Sequence, residues 1–165
     1  MAGKTKFTTD LENGELVATR TFDAPRQLVF AAYSSCDHIK NWWGPRTYPT
    51  TFCEMDFRPG GTWRYCMTGP EGDEAWGKGV YSEIVEPERI VYRDYFTDSQ
   101  GVESAEMPSA AITVEFLQQN GRTELVSKTK YDSKEDLQKV LEMGVEEGFA
   151  ETLDRLEEYL ATQTT

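Results

Sequence analysis

Histidine is almost missing from this chain of 165 residues. His38 is the single one, so zinc sites built from several imidazoles are excluded. Cysteine is scarce and odd in number: Cys36, Cys53 and Cys66 lack metal-ligand spacing. They read as three reduced thiols, which points to a cytoplasmic protein. Positive charge is short as well. Lys plus Arg is 17 against 29 Asp plus Glu, a net charge of −12. A phosphate backbone needs a basic face, so nucleic acid is excluded as the main partner. No apolar run approaches the roughly 18 residues of a membrane helix, and Met1 to Asp10 lack the apolar stretch of a signal peptide. There is no phosphate-cradling glycine loop, no nucleophile elbow and no metal constellation. Neither cofactor nor metal is expected.

What is present is a succession of short alternating segments. Residues 15–22 alternate as a strand. Asp23-Ala24-Pro25 then opens a helix over 25–34, with Leu28, Val29, Ala32 and Tyr33 at helical spacing. A short helix at about 36–42 ends at Gly44-Pro45. Strands follow at 50–57, 62–68, 75–85, 89–96, 109–118 and 122–131, the last two joined by Asn120-Gly121. Gly77 and Gly79 interrupt a strand, which marks a bend or a close approach by another group. Polar segments at 68–75 and 97–107 are loops suited to gating a cavity.

The hairpin around Arg58-Pro59-Gly60-Gly61 allows a register to be argued. Proline cannot take the positive φ that a two-residue primed turn demands, so a three-residue Pro59-Gly60-Gly61 loop is expected. That register sets Phe57 opposite Trp63, Met55 opposite Tyr65 and Cys53 opposite Met67 on one face. Asp56 opposite Arg64 and Glu54 opposite Cys66 fall on the other. Glu54 and Asp56 then form a solvated pair, with Asp56 partnered by Arg64.

From Ser133 to about Ala161 the apolar period becomes helical, through Leu137, Val140, Leu141, Val145, Phe149, Leu153, Leu156 and Leu160. Gly144 and Gly148 on that stripe predict a kink or a close contact. The pattern gives an α+β domain at 14–161: a curved antiparallel sheet wrapped around a long C-terminal helix, with two short helices after the first strand. Residues 1–13 are expected to be loosely ordered, and 162–165 to form a tail.

Several segments together resemble a known family. They are Phe22-Asp23-Ala24-Pro25, Trp42-Trp43-Gly44-Pro45, the run Asp56 to Gly61, the run Gly79 to Pro87, and Gly144 with Gly148-Phe149 and Leu153. Over 14–161 the chain is similar to the family related to the C-terminal domain of the activator of the ninety-kilodalton heat-shock protein ATPase. That family lies within the START-like, birch-pollen-allergen-like superfamily. The resemblance implies the helix-grip fold and a cavity between sheet and helix for an apolar or aromatic small molecule. It also implies two alternatives. One is a cyclase- or hydrolase-like enzyme in the same cavity. The other is a stress-related chaperone-interaction module. Co-chaperone members carry a separate N-terminal domain, whereas about fourteen residues precede the first strand here.

Aromatic residues make up 12% of the chain, and no catalytic set accompanies them. Flat rings with polar tips suit an aromatic ligand. The candidates for the cavity wall are Trp42, Trp63, Tyr65, Trp76, Tyr81, Tyr92, Tyr95, Phe149 and Leu153. His38, two residues from Cys36, is expected to be exposed and without a catalytic role. The expected partner is a small apolar or aromatic molecule, not a membrane; a chaperone or a second copy of the chain is the further partner considered.

Overall fold

The computed structural model describes residues 4–163. Eight antiparallel strands form one sheet: β1 (Lys6–Asp10), β2 (Glu15–Phe22), β3 (Thr50–Met55), β4 (Thr62–Thr68), β5 (Glu74–Val85), β6 (Arg89–Thr97), β7 (Ala110–Gln119) and β8 (Arg122–Tyr131). Their spatial order is β1-β2-β8-β7-β6-β5-β4-β3. Between β2 and β3 lie α1 (Arg26–Ala32) and α2 (Cys36–Ile39). After β8 come α3 (Lys134–Glu142) and α4 (Val145–Gln163). This is the helix-grip arrangement: β3 to β8 pair in sequence order, with one longer loop between β6 and β7, and the helices cover the concave face.

Alternation along each strand decides what meets the helices. Leu16, Ala18 and Phe22 of β2, Trp63 and Tyr65 of β4, Ile90 and Tyr92 of β6, and Val114 and Phe116 of β7 are buried on the concave side. Leu153, Leu156 and Leu160 of α4 close over them. Arg20 is buried on the same face, where it donates to Asp154 and Glu157 of α4. Arg155 donates to the carbonyls of Trp43 and Gly44, at 3.3 and 2.8 Å. These contacts fix the rotation of α4 over the sheet. No helix among the described residues is long and apolar enough to cross a membrane.

Three expectations are corrected. Residues 1–13 contain an edge strand, β1, paired with β2 from Lys6↔Thr19 to Asp10↔Glu15. Apart from Phe7, which packs against the core, its side chains are polar and exposed, so alternation is weak there. Cys36 and Cys53 form a disulfide that ties α2 to β3, and Cys66 alone is free. The two partners lie in separate elements, so sequence spacing carried no signal. The long C-terminal helix is α4, and the helical run from Ser133 breaks before it where Gly144 takes φ +85°, the kink that this glycine predicted. Helix α4 also continues through Thr162 and Gln163, so only 164–165 of the expected tail lie outside the described residues.

The hairpin register moves by two residues: Met55 pairs with Trp63, Cys53 with Tyr65 and Glu54 with Arg64. The loop tip is pinned by β5, with Gly60 N–H donating to the Tyr81 carbonyl and Tyr81 N–H to the Gly61 carbonyl. That tertiary pairing outweighs the short-turn preference. An even shift keeps every side chain on its expected face. Arg64 therefore approaches Glu54, at 3.9 Å, while Asp56 pairs with Arg58 at 2.8 Å.

Candidate functional site

A hollow remains between the sheet and the junction of α3 and α4. Its inner lobe holds about 160 Å³. Strand β2 gives it Leu16 and Ala18, β8 gives Ser127, Thr129 and Tyr131, β7 gives Ile112, and β6 gives Tyr92 and Asp94. Tyr33 at the end of α1, Trp43 after α2, and Val145 and Phe149 of α4 complete the wall. A second lobe of about 200 Å³ shares Asp94, Ile112, Tyr131 and Val145. It reaches past Phe96, Pro108 and Ala110 to Met143, which is 58% exposed, so this end meets the surface. The first lobe is about the size of an apolar cavity of roughly 150 Å³ that admits benzene.

The sequence makes the hollow in three ways. The helix break at Gly144 lets α3 and α4 diverge from one line. Glycines on β5 make room for rings: a Cβ at Gly77 would lie 2.3 Å from the Tyr65 ring, and one at Gly79 3.0 Å from Tyr92. Small residues on the floor, Ala18 and Ser127, stand opposite each other in the β2–β8 register and leave space that larger side chains would fill.

Most of the wall is apolar, but it carries one acid. Asp94 Oδ1 accepts a hydrogen bond from the Tyr65 hydroxyl at 2.9 Å. Burial pushes the Asp94 carboxyl up to about 7, against the opposing pull of that hydrogen bond. Burial, then the neighbouring Asp94, pushes the Tyr65 phenol well above its ordinary value, so Tyr65 remains a donor. Tyr92 is raised in the same way and for the same reasons. Tyr33 Oη and Trp43 Nε1, from two wall residues, are buried with no hydrogen-bond partner. A buried polar atom without a partner is unusual enough to call for an explanation.

The residues expected at the wall divide into three groups. Tyr92 and Phe149 stand on it. Trp42, Trp63, Tyr65, Tyr81 and Leu153 are buried in the core beside it. Trp42 anchors there by donating to the Ala32 carbonyl at 3.0 Å, and Tyr65 reaches the hollow only through Asp94. Trp76 and Tyr95 are on the convex face, against Arg64 and Lys78 respectively, because each is one residue out of phase with its inward-facing neighbours Gly77 and Asp94. The loop 68–75 contributes nothing to either lobe, whereas the loop 97–107 leads into Pro108 at the outer one. His38 is half-buried, with Nδ1 2.6 Å from the Tyr159 hydroxyl.

Asp94 escaped the sequence reading. Its signal was available: in Ile90-Val91-Tyr92-Arg93-Asp94 it falls in phase with Ile90 and Tyr92, so alternation aims an acid inward.

Fold and hollow together define a helix-grip domain with an interior space. The chain matches, over residues 23–161, the family described as activator of Hsp90 ATPase homolog 1-like protein, and it belongs to that family. It is 31% identical to a protein of Arthrobacter aurescens solved by solution NMR, with a TM-score of 0.90 over 95% of this chain and 91% of that one. It is 30% identical to protein Ms6760 of Mycobacterium smegmatis, whose crystal structure superposes with a TM-score of 0.87 over 94% and 96% of the two chains. A Staphylococcus epidermidis protein solved by solution NMR is 29% identical, with a TM-score of 0.81 over 97% and 96%. Comparison with curated proteins gave no match.

Proposed function

We propose that this protein binds a small apolar or aromatic molecule in the hollow between its sheet and its C-terminal helices. One observation carries the reading: a lobe of about 160 Å³, walled mainly by apolar and aromatic side chains, sits where a packed core would otherwise continue. Protein interiors close such spaces when nothing uses them, because lost contacts are unfavourable. A ligand there gains roughly 25 cal/mol for each Å² of apolar surface removed from water. The unpartnered Tyr33 Oη and Trp43 Nε1 offer it polar contacts. Tyr92 and Phe149 are the wall rings that sequence reasoning also selected. Thermal denaturation and native mass spectrometry against a set of one- and two-ring compounds test the reading. A rise in melting temperature with a retained mass supports it; no response at millimolar concentration refutes it.

A second reading has a specific observation behind it. Asp94, hydrogen-bonded to Tyr65 and titrating near neutrality, has the properties of a general acid–base inside the hollow. A cyclase- or hydrolase-like enzyme would use it. That reading requires a bound compound to be converted, and recovery of the compound unchanged counts against it. Glu54 and Asp56, the solvated pair on the hairpin, partner arginines away from the hollow.

The family description names an activator of the Hsp90 ATPase. A chaperone partner for this chain is tested by pull-down with that chaperone. The cytoplasmic location expected from reduced thiols loses its support, because Cys36 and Cys53 are joined.

A further inference from the structure

Among the described residues, the wall of the hollow contains one carboxyl group and no cation. Neither lobe is lined by lysine, arginine, histidine or glutamate, and Asp94 belongs to both. The group closest to it is a neutral donor, the Tyr65 hydroxyl at 2.9 Å on Oδ1. A lone acid among apolar walls is unfavourable for folding unless something compensates it, and here no protein cation does. The same lobe is lined by the rings of Tyr33, Trp43, Tyr92, Tyr131 and Phe149. Electron-rich ring faces beside a carboxylate are the chemistry that holds an ammonium group. The chain as a whole carries −12, which raises the local concentration of cations over anions.

We propose that the hollow is selective for amines: a compact ligand with an aromatic or apolar body and one protonated nitrogen, which Asp94 receives and the surrounding rings enclose. The inference rests on the ligand-binding reading above and adds the ligand's charge and its point of attachment. An anionic ligand is disfavoured by the same groups. Apolar atoms of the body fill the lobe against Leu16, Ala18 and Ile112, while the nitrogen donates to the carboxylate.

The pH response follows from the groups that face Asp94. They are phenols: Tyr65 from β4, Tyr92 from β6 and Tyr131 from β8, with Tyr33 lining the same lobe from the end of α1. All are pushed above the ordinary tyrosine value by burial and remain neutral. Helices α3 and α4 bring Val140, Val145 and Phe149, which do not titrate. Asp94 is then the group that switches, at about 7. Amine affinity falls as pH drops below that value, because the acid must lose its proton to accept the cation.

The test compares benzylamine with benzyl alcohol, which has nearly the same shape and no charge. Both are titrated calorimetrically into the wild-type protein at pH 8 and pH 5.5, and into Asp94→Asn at pH 8. Benzylamine stays protonated at both pH values. The expected result is a preference for the amine of about tenfold or more at pH 8. It shrinks by about tenfold at pH 5.5 and vanishes in Asp94→Asn. If the alcohol binds and the amine gains nothing over it, or if the preference survives in Asp94→Asn, amine selectivity is overturned while the hollow remains a binding site. If neither compound binds, both proposals fail. Should Asp94→Asn not fold, the two pH values in the wild type decide alone.

Discussion

Asp94 illustrates how one residue links folding to pH. Its carboxyl moves from an ordinary 3.8 up to about 7 because burial disfavours its charge. Between those values the folded protein holds a proton that the unfolded chain has released. Folding stability therefore declines as pH climbs through that window, and stays lowered above it. Asp94→Asn keeps the acceptor for Tyr65 but removes the ionisation. The variant should be more stable than wild type at pH 8 by at least about 1 kcal/mol, with the difference gone near pH 4. Urea denaturation at the two pH values reads it, and an equal difference at both contradicts it. Residue by residue, the site was only partly legible. Periodicity gives the face of a side chain, so Tyr92 and Phe149 were recognisable as inward-facing. It does not say whether an inward ring fills the core, as Trp42 and Trp63 do, or borders a space. That depends on distances between strands and helix, which no local pattern encodes. Trp76 and Tyr95 were separable in principle, since both fall out of phase with their strands' inward set.

At the scale of elements, strands β2 to β8 were legible because alternation and turn chemistry agree, whereas the edge strand β1 was not. The register of β3 against β4 was not, because β5 holds the loop tip at Gly60 and Gly61 through long-range bonds. The two glycines of the C-terminal region looked alike in sequence and differ in structure. Gly144 has φ +85° and ends α3, whereas Gly148 lies inside α4 with open space where a Cβ would stand. Gly144→Ala should destabilise by about 1 kcal/mol or more. Gly148→Ala should stabilise by up to about 1 kcal/mol. Denaturation midpoints of the pair check the opposite signs, and equal signs would refute the distinction. The Cys36–Cys53 bridge staples α2 to β3 across a separation of 17 residues. Replacing both cysteines by serine should remove about 2–4 kcal/mol, read as the shift in unfolding free energy between the oxidised protein and the variant. A loss below 1 kcal/mol contradicts that.

The whole molecule is a sheet that grips two helices and leaves a space at their junction. Curvature of the sheet, small residues on its floor and the break at Gly144 act together, and none of them alone makes a hollow. The arrangement explains why family membership and fold were accessible early: they depend on patterns spread over residues 23–161. Under the binding proposal, the ligand depends on a few side chains, with Asp94 setting its character. Ala18 lies on the inner lobe's floor, where a leucine side chain would occupy the space that a ligand needs. The most direct measurement is calorimetric titration of benzylamine and, separately, benzyl alcohol at pH 8 into the wild-type protein and into Ala18→Leu. Saturable binding to the wild type, lost in a folded Ala18→Leu, is the predicted result; equal affinity in the two proteins, or none in either, would contradict the account.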